Sequence, residues 1–175
     1  MGLFGNLFGG KKKEETPSAG SGHVCEPKTV YSPLKGTVIP LDQVDDPVFA
    51  GGMMGLGVGI EPAEGKLYAP ADGEVAALFP TGHAVGLNTK DGMELLLHIG
   101  INTVEMQGDG FKIHTKQGAK VKAGDLLVEF DIAKIEKAGF KATTMVLVSN
   151  APMMGEMTAP EMGAAEPLKK LFAFK

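Results

Sequence analysis

Residues 32–41, Ser-Pro-Leu-Lys-Gly-Thr-Val-Ile-Pro-Leu, recur in outline as residues 69–78, Ala-Pro-Ala-Asp-Gly-Glu-Val-Ala-Ala-Leu. Both copies have a proline, then a glycine, a valine and a leucine at the same spacing. Proline can occupy the first position of a strand, and glycine permits a tight turn or a close approach of two backbones. The repeat therefore predicts two equivalent, proline-started strands in a duplicated β architecture.

The pattern on both sides of the repeat, from Thr29 to about Ser149, also indicates strands. Short apolar runs are separated by Gly, Pro, Asp and Asn, which is typical of a sandwich or a closed sheet. One helix is predicted at residues 132–138, ended by Gly139, and residues 167–174 could form either a last strand or a short helix. The predicted strands are residues 37–39, 56–60, 73–79, 84–87, 94–101, 126–130 and 144–149.

The composition bounds the class of protein. A chain of 175 residues predicts one domain with tails, which we place as a flexible tail and linker at 1–27 and a domain at 28–175. No apolar run is long enough for a transmembrane helix, and a net charge of −4 argues against a nucleic-acid partner. The single Cys25 excludes an intramolecular disulfide framework and a multi-cysteine zinc site, and it agrees with the cytoplasmic location that we expect.

The first residues are not a secretory signal, because the lysines follow a short apolar part instead of preceding it. Leu3, Phe4, Leu7 and Phe8 have helical spacing, and residues 11–13 are all lysine. We expect weak, reversible contact of this tail with an anionic membrane surface. A tail that stays disordered is the alternative.

Two histidines, His83 and His98, lie in apolar β-like runs and could face each other from neighbouring strands. All 17 basic residues are lysine, so the planar arginine fork that commonly holds anions is missing. A phosphate group would have to be held by histidine, backbone N–H groups, hydroxyls or lysine. The alternative is a pair of ordinary half-buried histidines.

Several other chemistries lack the residues that they need. The repeat and the Gly-Asp turn at residues 124–125 resemble lipoyl and biotinyl carrier domains, but no Asp-Lys-Ala or Met-Lys-Met tripeptide is present. A zinc peptidase would need His-x-His or His-Glu-x-x-His, and neither occurs. The stretch 59–67 has one residue too many for a phosphate-binding loop, and no Ser or Thr follows its lysine. Histidine-based group transfer is what remains.

The stretch Leu-Leu-His-Ile-Gly-Ile-Asn-Thr-Val-Glu at residues 96–105, followed by Gly-Asp-Gly-Phe, resembles the active-site segment of the glucose-type enzyme IIA of the bacterial phosphoenolpyruvate-dependent sugar phosphotransferase system. Asp-Pro-Val-Phe-Ala at 46–50, Thr-Gly-His-Ala at 81–84 and Glu-Phe-Asp at 129–131 extend the resemblance over roughly residues 28–150. It implies an all-β fold, a compact antiparallel β-sandwich, with the barrel-sandwich-like internal duplication of the repeat and few short helices.

The resemblance implies a phosphotransferase component that forms a phosphohistidine. His98 would accept the phosphoryl group from phospho-HPr and deliver it to the cysteine of a sugar-specific enzyme IIB during sugar uptake. His83 would hydrogen-bond the phosphoryl oxygens, while Thr81 and the Gly100 carbonyl would fix the tautomers of the two imidazoles. The alternative function is a regulatory module that binds protein targets on the same face without turnover.

The resemblance also predicts an apolar and acidic collar for partner proteins. Methionine suits a face that meets several partners, and acidic residues, Asp109 among them, could steer a basic donor. Plain core positions for Phe79 and Leu96, and ordinary solvated charge for the acids, are the alternatives. Asn102 stands where many family members carry Asp, which removes a negative charge near His98. The predicted collar consists of Asp46, Phe49, Met53, Met54, Phe79, Glu94, Leu96 and Glu105.

No cofactor is required for this chemistry, but His83 and His98 could ligate zinc. Two imidazoles make an incomplete site, so a partner would have to add the remaining ligands. The other two histidines, His23 and His114, are expected at the surface outside the site.

Overall fold

The computed structural model describes residues 23–175. Two short α-helices, α1 (Pro47–Ala50) and α2 (Ile132–Lys137), and three 3₁₀ turns (Leu41–Gln43, Thr103–Met106 and Ala151–Met153) interrupt a β structure. Its thirteen strands within this range are β1 Thr29–Tyr31, β2 Gly36–Pro40, β3 Leu56–Pro62, β4 Lys66–Tyr68, β5 Gly73–Leu78, β6 Ala84–Thr89, β7 Glu94–Ile101, β8 Phe111–Ile113, β9 Lys120–Val121, β10 Leu126–Phe130, β11 Lys141–Val148, β12 Gly163–Ala165 and β13 Lys170–Ala173.

The strands form one large and two small sheets. The large sheet has eight strands in the order β12-β2-β3-β11-β7-β6-β5-β9, and the small sheets are β4-β10-β8 and β1-β13. Every strand pair described is antiparallel. The predicted all-β, antiparallel fold class with few short helices is confirmed.

The sequence repeat corresponds to two equivalent places in the fold. Its copies contribute β2 and β5, and each of these strands is second from an edge of the large sheet. The starts of the two copies are joined by a reciprocal pair of hydrogen bonds. The Tyr31 N–H, two residues before Pro33, donates to the Pro70 carbonyl (2.9 Å), and the Tyr68 N–H, two residues before Pro70, donates to the Pro33 carbonyl (2.7 Å). The predicted internal duplication is therefore present in the structure.

The large sheet carries an apolar cluster on each face, as β7 illustrates. Successive side chains of a strand point to opposite faces. Leu95 and Leu97 belong to the main core, whereas Leu96 packs against a second, smaller cluster that contains Met145 and Leu147 of the neighbouring β11. The face with the smaller cluster is the one that His98 shares.

The segment that holds α1 covers part of this second face, and a glycine of the sheet makes room for it. A Cβ atom on Gly59 of β3 would lie 2.8 Å from Cγ2 of Val44 and 2.9 Å from Cγ1 of Ile39. Because glycine has only a hydrogen atom at this point, Val44 and Phe49 can pack into the second cluster. This packing brings α1 close to β7.

The seven predicted strands correspond to the seven observed strands of five or more residues, whereas the shorter strands β1, β4, β8, β9 and β12 were not predicted. Strands β7 and β10 have the predicted bounds, and α2 begins at the predicted residue 132, capped by the Asp131 side chain. The ending, for which a strand and a helix were both considered, is strand β13, paired with β1. Helix α1 was not predicted, although Asp46 at its N-cap and Pro47 at its first position are ordinary start signals.

The division into a tail at 1–27 and a domain at 28–175 stays a prediction, with the first observed strand beginning at Thr29. The predicted membrane contact of the N-terminal tail concerns residues that lie outside the described range. Within residues 23–175, no helix is long and apolar enough to cross a membrane.

Candidate active site

His83 and His98 lie side by side on the second face of the large sheet. His98 is in β7, and His83 immediately precedes β6, whose first residue, Ala84, is paired with His98. The Ile99 N–H donates to the His83 carbonyl (2.7 Å), which joins the two backbones at this point. The ring centroids are 5.2 Å apart and the ring planes make an angle of 77°. The two imidazoles therefore meet edge to face.

The His98 ring is fixed by a backbone carbonyl and an aromatic side chain. Its Nδ1 lies 2.8 Å from the carbonyl oxygen of Gly100. A carbonyl only accepts hydrogen bonds, so Nδ1 carries the proton and Nε2 keeps a free lone pair. The Phe49 ring packs against the imidazole with a centroid separation of 4.9 Å. This arrangement holds Nε2 of His98 as a potential nucleophile.

His83 is fixed in a similar way by a hydroxyl. Oγ1 of Thr81 lies 2.5 Å from its Nδ1, and the Phe79 ring packs at a centroid distance of 5.2 Å. When the hydroxyl donates to Nδ1, the proton of the neutral imidazole resides on Nε2. His83 is only 4% exposed, so its orientation is set by packing as well as by this bond. An N–H group of His83 is then available to an anion bound at His98.

Both imidazoles are neutral at neutral pH. The pKa of His98 is lowered to about 4, chiefly by burial and also by the nearby His83, against the opposing effects of the hydrogen bond to Gly100 and the charge of Asp46. Burial also lowers the pKa of His83. Because desolvation disfavours the charged form of an imidazole, the lone pair on Nε2 of His98 stays unprotonated across the physiological range.

We expect nitrogen NMR to show His98 as the Nδ1–H tautomer between about pH 6 and 8 and to give a pKa near 4. The unfolded imidazole, with a pKa near 6.5, binds a proton that the folded one does not. The free energy of unfolding should therefore fall as the pH is lowered from about 6.5 to about 4. A His98 pKa at or above 6.5, or a dominant Nε2–H tautomer, would contradict the geometry.

Asp46 acts on His98 through α1. Its Oδ1 accepts hydrogen bonds from the N–H groups of Val48 (2.9 Å) and Phe49 (3.4 Å), which caps the helix and places the Phe49 ring against His98. Its charge also favours the protonated form of His98. The predicted rim residue Asp46 thus has a structural task within this chain.

Several apolar side chains are exposed on the elements that carry the site. Of the predicted collar residues, Phe49 is buried, Phe79 is 47% exposed, and Met53 and Met54 are exposed. The core alternative for Phe79 is therefore wrong. Three further exposed apolar residues on these or adjoining elements were not singled out from the sequence: Val48, Leu56 and Val104. An isolated valine or leucine in a strand-rich sequence looks like a core residue, so only the fold reveals their exposure.

The remaining collar residues have different positions. Leu96 is half-buried in the second cluster beside His98, so it serves both the core and the face of the site. Glu94 is on the same face at the start of β7, about 13 Å along the strand from His98. Its backbone N–H donates to the Asn150 side chain (2.9 Å). Glu105 is exposed in the 3₁₀ turn that follows β7.

Asp109 and the two histidines outside the pair contact other parts of the chain. Asp109 forms an exposed ion pair with Lys134 (2.6 Å). His114 bonds to Glu129 (2.7 Å) in the three-stranded sheet, and His23 packs edge-on against a tyrosine ring. In the described part of the chain, no three or more His, Cys, Asp or Glu side chains are grouped as a metal site. His83 and His98 alone could contribute ligands here.

The chain is similar to known proteins in sequence and in fold. A family model described as phosphoenolpyruvate-dependent sugar phosphotransferase system, EIIA 1, matches residues 28–154. The chain is 41% identical over 167 residues to the PTS system glucose-specific EIIA component of Halalkalibacterium halodurans, and the match covers 94% of each protein. It is similar to the glucose permease IIA from Mycoplasma capricolum, with a TM-score of 0.80 and 35% identity over 84% of this chain and 95% of that one.

A longer relative contains the same region as one part. The PTS system beta-glucoside-specific EIIBCA component of Halalkalibacterium halodurans is 46% identical over 159 residues. The match covers 88% of this chain but only 24% of that relative. The chain thus spans about a quarter of the EIIBCA protein and nearly the whole of the glucose-specific EIIA component.

Proposed function

The chain belongs to the glucose-type enzyme IIA family of the phosphoenolpyruvate-dependent sugar phosphotransferase system, and from this membership we propose that it is a cytoplasmic phosphocarrier that uses Nε2 of His98 as its acceptor. The observation that carries the proposal is the bond between Nδ1 of His98 and the Gly100 carbonyl, which leaves Nε2 unprotonated. The depressed pKa of His98 keeps it so at neutral pH.

Uptake is a substitution at phosphorus. The Nε2 lone pair of His98 attacks the phosphoryl group of phospho-HPr, a new N–P bond forms, and the N–P bond to the donor imidazole breaks with its electron pair returning to the donor. Nδ1–H stays bonded to the Gly100 carbonyl throughout. The Nε2–H group of His83 donates to a phosphoryl oxygen, which stabilises the charge in the transition state.

Delivery reverses the roles. The thiolate of an enzyme IIB cysteine attacks phosphorus, and the N–P bond to His98 breaks. The EIIBCA relatives, in which a region like this chain is part of one polypeptide with parts named B and C, support enzyme IIB as the acceptor. The absence of arginine suits a group that has to leave again, because nothing here clamps it bidentately.

The apolar surface around the pair is the proposed docking face for both partners. Met53, Met54, Phe79 and the exposed Val48 and Val104 offer apolar area on the elements that carry or flank the histidines. Exposed apolar patches of this kind mark interaction sites. Two acidic residues of the predicted collar, Asp46 and Glu105, belong to the segments that carry this apolar surface and would attract a basic donor, whereas Glu94 lies further along β7.

The proposal is tested by incubating the protein with phosphoenolpyruvate, enzyme I and HPr. We expect one phosphoryl group per chain, acid-labile and alkali-stable as a phosphohistidine is, and transfer of that group to an enzyme IIB domain. Binding to HPr without any incorporated phosphate would instead identify a regulatory module that uses the same face. A panel of enzyme IIB domains would then show which sugar permease the chain serves.

Replacing His83 by glutamine should leave phosphate uptake in place and slow delivery by about 10²-fold. The acceptor atom belongs to His98, so the N–P bond can still form. Glutamine has amide N–H donors but no imidazole Nδ1 for Thr81 to hold, so the transition state of onward transfer loses a donor in a fixed position. The rates are measured with labelled phosphate, and His114→Gln, which alters a histidine outside the pair, is the matched control. Delivery at the wild-type rate would remove His83 from the mechanism.

We also propose that zinc can bind between the histidines when a partner supplies further ligands. The donor set fits in part, because Nε2 of His98 carries a free lone pair. Nε2 of His83 can also bind a metal once the ring proton moves to Nδ1, where the Thr81 hydroxyl would accept its hydrogen bond. Zinc requires about four ligands, and this part of the chain offers two. Isothermal titration should detect no tight zinc binding to the isolated protein, whereas tight binding would contradict the need for a partner.

A further inference from the structure

The chain makes an abrupt change of direction just after His98. Gly100 has φ +78°, in the left-handed region that favours glycine. Ile99 is paired with Thr144 and Ile101 is paired with Lys141, so two residues of β11 lie opposite Gly100 alone. This is a β-bulge, an irregularity that redirects side chains and carbonyls next to active sites. Here it turns the Gly100 carbonyl back toward Nδ1 of His98.

Thr103 supports this bulge from the following 3₁₀ turn. Its side chain is fully buried, and its hydroxyl donates to the carbonyl of Ile99, the residue between His98 and Gly100. Its methyl group lies directly against Gly100, since a Cβ atom there would be only 2.3 Å from Cγ2 of Thr103. The Thr103 side chain thus contacts both the Ile99–Gly100 peptide and Gly100 itself.

We propose that Thr103 is a positioning residue for phosphoryl transfer, which holds the Gly100 carbonyl against Nδ1 of His98 and so presents Nε2 as the nucleophile. This inference rests on the proposed function of His98. Thr103 does not touch the reacting atoms, and it acts through the backbone of residues 99–100.

The backbone between His98 and Thr103 has an unusual conformation that needs stabilising contacts such as the bond of the Thr103 hydroxyl. Asn102, with φ +60°, is also left-handed, so two of the four residues between His98 and Thr103 lie in a region that L residues rarely occupy. Such a segment keeps its shape only when surrounding contacts determine it. Within it, the hydroxyl bond to Ile99 and the methyl contact with Gly100 tie the 3₁₀ turn to the strand.

The test compares Thr103→Val with Thr103→Ser. Valine keeps the shape and removes the donor, so the Ile99 carbonyl loses a buried partner. We expect phosphoryl acceptance to slow by about tenfold, and nitrogen NMR of the unphosphorylated protein to show a fraction of His98 as the Nε2–H tautomer. Serine keeps the hydroxyl and should restore both readings nearly to wild type. Thr103→Ala, which also lacks the donor, is measured in the same way.

Thr29→Val is the matched control, because Thr29 is another buried threonine whose hydroxyl donates to a carbonyl, that of Pro27 (3.0 Å), in the sheet formed by β1 and β13. Thr29→Val should change neither the rate of phosphoryl acceptance nor the His98 tautomer. A wild-type rate and tautomer in both Thr103→Val and Thr103→Ala, or equal effects of Thr103→Val and Thr29→Val, would overturn the proposal. The tautomer is read without phosphate, so it tests Thr103 even if wild-type protein accepts no phosphoryl group and the proposed function fails.

Discussion

The His98→Gln variant is expected to take up no phosphoryl group from phospho-HPr, a loss of at least about 10³-fold against wild type. The carboxamide fills a similar space but has no basic nitrogen lone pair, so it cannot form the N–P bond. His83 does not replace it, because Thr81 engages its Nδ1 and leaves the proton on Nε2. Uptake is measured with labelled phosphoenolpyruvate, enzyme I and HPr.

The matched control is His114→Gln, which makes the same substitution at a histidine held by Glu129 in the three-stranded sheet. It should be labelled as fully as wild type, which separates loss of the acceptor from general damage. Full labelling of His98→Gln would show that the phosphoryl group resides elsewhere and would refute the assignment of His98.

Gly100→Ala should lower the free energy of unfolding by about 3 kcal/mol. An added methyl would lie 2.3 Å from Cγ2 of Thr103 and 2.9 Å from the Lys141 carbonyl oxygen, so it overpacks a buried turn. The left-handed backbone adds strain for any L side chain. Relief of the clash moves the carbonyl that orients His98, so phosphoryl acceptance should fall in the fraction that folds. Urea unfolding measures the stability.

Gly118→Ala separates the two contributions. Gly118 has φ +86°, close to that of Gly100, but a Cβ atom there meets nothing within 4 Å. It should therefore show only the backbone strain, about 1 kcal/mol, and normal phosphoryl acceptance. Equal destabilisation by the two substitutions would show that packing against Thr103 contributes nothing.

Much of the fold could be predicted because its signals are local. Apolar runs bounded by glycine and proline gave strands such as β7 and β10 with correct bounds, and the repeat predicted the duplication. A strand is indicated by a few residues of the right type between two turn signals, so its position can be predicted from a short stretch of sequence. Helix α1 was missed because four residues are too few to show helical periodicity.

The candidate site was predictable as a set of residues but not as an arrangement. The motif around His98 indicated the chemistry, and the neighbouring strand placed His83 beside it. Exposure of Val48 and Val104 could not be predicted, because a valine reads the same in a core and on a docking face. The sequence also did not show that Glu94 lies far from His98, because closeness in the chain does not give the distance along an extended strand.

The sequence by itself determined the seven strands of five or more residues, the duplication and the identity of the two histidines, because these depend on residue type and short spacing. Tertiary structure alone decided which nitrogen of His98 is free. The bulge at Gly100 breaks the alternation of β7, so Ile99 packs in the main core and Ile101 in the second cluster, although a regular strand would put both on one face. The bulge arises from pairing with β11, and residues distant in the chain thus set the hydrogen bond that leaves Nε2 of His98 unprotonated.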